Sequence, residues 1–160
     1  MRAKVAVGLI TSAFVLASCG GGHQAVEINP DAQPIASRWN ATLSTPPELG
    51  GIVDVHGQAW MGADPKDAGQ TRAYVSISNA VPGAKHPWHV HKGQCGADQG
   101  IFGPSDSYKP LEVEKEGKAS STATLQVATP KTGQYFVNVH ASAKNMKSIV
   151  ACGNLAPPAP

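Results

Sequence analysis

Between residues 53 and 140 apolar and polar side chains trade places at every second position, run after run, and no window carries the 3.6-residue period of an amphipathic helix. Val53, Val55, Gly57 and Ala59 alternate with Asp54, His56, Gln58 and Trp60. Ala73, Val75 and Ile77 alternate with Tyr74, Ser76 and Ser78, and Ala123, Leu125 and Val127 with Thr122, Thr124 and Gln126. Successive side chains of an extended strand point to opposite faces, so each run predicts a strand with one apolar face. Turn formers punctuate the runs: Asp64-Pro65, Pro82-Gly83, Glu116-Gly117-Lys118 and Thr129 to Gly133. Short alternating strands at this spacing predict an all-β domain, an antiparallel sandwich or barrel.

Two of the runs carry histidine. Trp88-His89-Val90-His91 places both imidazoles on one face, opposite Trp88 and Val90, and Tyr135-Phe-Val-Asn-Val-His140 ends on a third. If these strands are neighbours, three ring nitrogens converge on one point, a donor set that suits copper or zinc. Affinity ordering favours copper. With the apolar residues turned inward, the histidines are expected on the outer wall, roofed by loops 93–110 and 141–149. A single strand histidine is more often a surface or hydrogen-bonding residue than a ligand. His56, among the polar residues of its run, is therefore read as a surface group and His23 as a solvated one. Asp98, Asp106 and Tyr108 fall in the expected roof with no role assigned.

The N-terminus reads as an address. Arg2 and Lys4 precede an apolar stretch, Val5 to Ala17, too short to span a bilayer, and Leu16-Ala17-Ser18-Cys19 resembles a bacterial lipobox. That resemblance implies a signal peptide over 1–18, a lipid on Cys19 and, with Gly20 rather than Asp next, the periplasmic face of the outer membrane. Residues 19–47, rich in Gly, Pro, Ala and Asn, read as a flexible tether, 48–156 as the β domain and 157–160 as a disordered tail. Without Arg2 and Lys4, the 13 basic side chains fall to match the 11 acidic ones, and no basic stripe suggests a nucleic-acid partner. The expected partners are a metal ion and the membrane, the latter through the anchor alone. With Cys19 lipidated, Cys95 and Cys152 remain as an even pair, for which a disulfide is favoured in an oxidising compartment over free thiols or a thiolate metal site.

His86-x-x-His89-x-His91, then Cys95, a strand-ending His140, and Ala151-Cys152-Gly153 near the C-terminus resemble Cu/Zn superoxide dismutase over about residues 50 to 155. The segment Asn79 to His86 also looks like that family's approach to its first metal strand. The resemblance implies an antiparallel Greek-key β-sandwich or barrel with metal-site loops on the outer wall. It implies copper ligation by His89, His91 and His140, a bracing role for His86 through backbone hydrogen bonds, and a Cys95–Cys152 bridge. The departures are specific. No histidine lies between Cys95 and Val139, and Gly103-Pro104 is followed by Ser105 where the bridging ligand would stand. Zinc in the family's manner is therefore not expected. Ile149 occupies the place of the family's anion-guiding arginine, leaving Lys144 and Lys147, with Lys85 and Lys92, as sources of positive charge. What remains implied is one copper per chain, serving copper handling or weak superoxide dismutation.

The same stretch is also similar to chordin-type (CHRD) domains, through His89-Val-His91 with its Gly-rich loop and Gly133 to His140. Where those domains end in Gly-Glu-Ile-Arg-Gly, this chain has Ala151-Cys152-Gly153-Asn154. That resemblance implies a metal-free binding module of the cell envelope, its histidines engaged in internal hydrogen bonds.

Overall fold

The computed structural model describes residues 34–159. The expected signal peptide, Cys19 with its expected lipidation, His23 and the expected tether up to residue 33 lie outside the described residues. Among those described there is no α-helix, and no helix long and apolar enough to cross a membrane. The strands are β1 (Trp39–Leu43), β2 (His56–Ala63), β3 (Thr71–Ser78), β4 (Lys85–His86), β5 (Trp88–Gln94), β6 (Ala97–Ile101), β7 (Leu111–Glu112), β8 (Ala119–Leu125), β9 (Tyr135–Ser142) and β10 (Asn145–Leu155). They form an all-β sandwich. One sheet has the order β1-β2-β3-β8 and the other β10-β9-β5-β6, every pairing antiparallel, while β4 and β7 make a small separate ladder.

Alternation decides which way each strand faces. Ala73, Val75 and Ile77 of β3 join Ala59 and Met61 of β2 and Ala123 and Leu125 of β8 on one inner face. Trp88 and Val90 of β5, Val137 and Val139 of β9, and Ala151 of β10 line the other. A slip of one residue in the β5–β9 register would bury imidazoles in this core and expose Trp88 and Val90. The apolar side chains, each worth about 1.5–3 kcal/mol when fully buried, therefore fix the register.

The domain begins earlier than its sequence suggests. Trp39–Leu43 was expected within the tether reaching residue 47, yet it is β1, paired with β2 from Trp39↔Met61 to Leu43↔Gly57. Trp39 and Leu43 are wholly buried, and the Trp39 indole donates to the Pro130 carbonyl at 2.9 Å. Three alternating apolar residues, Trp39, Ala41 and Leu43, make a short strand that the surrounding Gly, Pro and Asn conceal in composition. At the other end the tail is not free. The Ala159 amide donates to the Ala36 carbonyl at 3.1 Å, and Ala156 and Asn40 exchange two backbone bonds. Those bonds, with a matching pair between Ser44 and Cys152, lay β1 against β10 and close that side of the sandwich. A disulfide joins Cys95, in the β5–β6 turn, to Cys152 on β10.

Candidate metal centre

The outer face of the second sheet carries the residues that alternation excludes from the core. His89 stands opposite Asn138 and His91 opposite Phe136 in the β5–β9 ladder. His140, two residues beyond Asn138, anchors its own amide to the Pro87 carbonyl at 2.8 Å. His89, His91 and His140 each offer one ring nitrogen, and the three atoms lie within 4.8 Å of one another. Ring centroids are separated by 5.3 to 6.0 Å. All three residues are buried, although they lie outside the hydrophobic core.

Hydrogen bonds assign the nitrogens. A carbonyl can only accept, so His140 Nδ1 carries its proton and donates to Met146 O at 2.7 Å, leaving Nε2 with a bare lone pair. His91 Nδ1 faces Asp98 Oδ1 at 2.9 Å and donates to it, which leaves His91 Nε2 bare as well. That atom is fully buried and has no hydrogen-bond partner among the described residues. His89 Nδ1 lies 3.2 Å from His140 Nε2. The nitrogens bare toward an ion are thus Nε2 of His91 and His140, while His89 Nδ1, which donates to His140 Nε2, must release its proton before it can ligate. A carboxylate or carbonyl behind a ligating imidazole is what holds its tautomer and raises its basicity at metal sites.

Electrostatics favour the neutral form of His89 and His140, as ligation requires. Burial, then the neighbouring His140 and His91, pushes His89 down to about 4. Burial also lowers His140, against the opposing bond to Met146. Although burial pulls the other way, the Gly100 amide and the His91 ring hold Asp98 below the usual carboxylate range. Around the cluster, Phe136 stacks on His91 at 5.1 Å, and Tyr108 sets its ring edge-on to His89 while its hydroxyl donates to Phe102 O at 2.6 Å. Loops expected as a roof supply these groups: Asp98 from the β5–β6 hairpin, Tyr108 from the segment before β7, and Met146 from the start of β10.

The other residues singled out in the sequence fall as follows. His86 Nδ1 donates to the carbonyl of His140 at 2.9 Å, so it grips the backbone of one member of the trio. His56 is exposed on the first sheet, paired with Asp54 at 2.9 Å, away from the cluster. Lys147 lines a groove that reaches His140. Lys144 is exposed in the β9–β10 turn and Lys92 on β5, while Lys85 pairs with Glu112 across β4 and β7 at 2.6 Å. Three contributors went unassigned or unremarked in the sequence. Asp98 sits seven residues after His91, where the tight turn at Gln94 to Gly96 folds it back. Asn138 shares the face of His140 at strand spacing. The Met146 carbonyl left no sequence signal, because any residue supplies a carbonyl.

No family model matches the sequence, and no curated protein is similar to it. Solved structures do match, among them one described as the clock protein EA4, with 16% identity over 78% of this chain and 97% of that chain and a TM-score of 0.51. At that identity the likeness is one of fold, and what the two share is the all-β sandwich.

Proposed function

We propose that this is an exported, lipid-anchored copper protein of superoxide dismutase-like type, holding one ion through His89, His91 and His140. One observation carries the reading: three buried imidazoles present bare or exchangeable nitrogens to a common point, two of them backed by Asp98 and Met146, and His91 Nε2 has no other partner. An unpaired buried acceptor costs about 1–3 kcal/mol, which an ion would relieve. Imidazole ligands suit copper in both oxidation states and bind it more tightly than zinc, so bound copper would supply one-electron redox chemistry. The chain's own contribution is to hold the three rings oriented and to keep His89 and His140 neutral. The Cys95–Cys152 bridge agrees with the oxidising compartment that the lipobox implies.

Positive charge at the groove is sparse, with Lys147 on its wall and Glu48 opposite in sign on the same lining. Copper handling, with weak superoxide turnover at most, follows from that balance. The test is metal analysis of the full chain with paramagnetic resonance of its Cu(II) form. One copper per chain with a nitrogen-dominated spectrum, lost in H89A, H91A and H140A, is expected. Absence of tight metal uptake would favour the metal-free chordin-type module, and retention of zinc alone a structural site.

A further inference from the structure

A groove of about 1000 Å³ runs along the outer face of the second sheet, and its floor passes Phe136, Asn138 and His140 before reaching Cys152 and Asn154 on β10. Asn138 is the unexplained group on that floor. It stands directly across the ladder from His89 and two residues before His140 on the same face. Its side chain is only 7% exposed, and Oδ1 is fully buried without a hydrogen-bond partner among the described residues. An amide oxygen buried in that way costs about 1–3 kcal/mol if nothing approaches it. An apolar residue would fill the position without that penalty, and its neighbours along β9, Val137 and Val139, show that the strand carries valine readily.

Asn138 Oδ1 and His91 Nε2 are both buried, both acceptors and both unpartnered, on neighbouring strands of one face. The ring nitrogen meets the ion, whereas a neutral amide oxygen needs an O–H or N–H donor. Resting on the reading of the trio as a copper centre, we infer that Asn138 is a positioning residue for the exogenous ligand: its Oδ1 accepts a hydrogen bond from a water seated between it and the three ring nitrogens. The groove is the route by which that water, or a small anion replacing it, arrives. Three protein nitrogens leave room for such a ligand. His86 Nε2 is a further buried acceptor without a partner among the described residues, but Asn138 is the one that stands across the ladder from His89 on the floor of the groove.

The experiment compares the full chain with N138L, which removes the acceptor at similar volume, and N138D, which keeps the shape and adds charge. Copper stoichiometry comes first: one ion per chain in all three shows that the trio and the fold are intact, whereas failure of the unsubstituted protein to take up copper sinks the copper reading and this inference with it. Azide titration, followed in the Cu(II) spectrum, and water-proton relaxation then read the exogenous ligand. In N138L azide should bind more tightly, on the order of fivefold, because the water it displaces has lost one hydrogen bond, and the relaxation enhancement should change. In N138D azide should bind more weakly, since the added carboxylate repels an anion. Equal azide affinity and equal relaxation in copper-loaded parent and N138L would overturn the assignment.

Discussion

At the scale of single residues, the candidate centre is defined less by the histidines than by what stands behind them. Asp98 is half exposed, yet its carboxylate fixes the tautomer of a ring that is almost wholly buried. Replacing it by alanine should lower copper affinity about 10- to 100-fold, measured by competition with a chelator of known affinity, while the domain stays folded. Acid should act through His89. The ring's ordinary value is near 6.5, and the folded environment lowers it to about 4. The unfolded chain therefore takes up a proton that the folded one refuses. Stability of the metal-free protein is fully present above pH 6.5, falls as pH drops from 6.5 toward 4, and levels off below. Urea unfolding across that window should show the decline, and H89L should reduce it. The sequence made the trio legible because two alternating runs carry histidine on the face opposite their apolar residues. It left Asp98 without a role because a contact across a hairpin depends on how tightly the turn closes.

At the scale of strands, period two revealed β2, β3, β5, β8 and β9 and the faces they turn inward. It failed at β1, where three apolar residues are too few to stand out from Pro- and Gly-rich surroundings. It also failed at β10, whose register shifts between Asn145 and Ile149 and again between Ile149 and Ala151, breaking the alternation. These two strands meet where Gly153 lies against β1. A Cβ there would strike the backbone oxygen of Thr42 and come within 2.6 Å of Leu43 Cδ2. G153A should therefore cost about 1–3 kcal/mol through displacement of backbone that has no room to yield, read as a lower denaturant midpoint. The loss should appear with or without copper, since the strain is at the closing side of the sandwich and not among the histidines.

Over the whole molecule, the disulfide ties the turn behind His91 to the last strand, its two cysteines 57 positions apart in sequence. Such a loop is worth up to about 4 kcal/mol on the chain-entropy account. The double substitution C95S/C152S should lower the melting temperature on the order of 10 °C, checked calorimetrically beside the parent. It should also weaken copper retention, because Cys95 begins the hairpin that delivers Asp98. The all-β class was open to sequence reasoning because it needs only local alternation and turn chemistry. How the sandwich closes was not, since Asn40 with Ala156 and Ser44 with Cys152 pair over more than a hundred residues and leave no periodic trace.

His140 is clamped from three directions: its amide by Pro87, its carbonyl by His86 and its ring by Met146. A residue gripped this way has lost its rotational freedom before any guest arrives. If the trio holds an ion as proposed, this ring is already in place to receive it, and the ordering left to binding is that of the other two rings and the ion's own hydration. Capture and release of that ion should then leave the backbone around His140 as it is, without local unfolding.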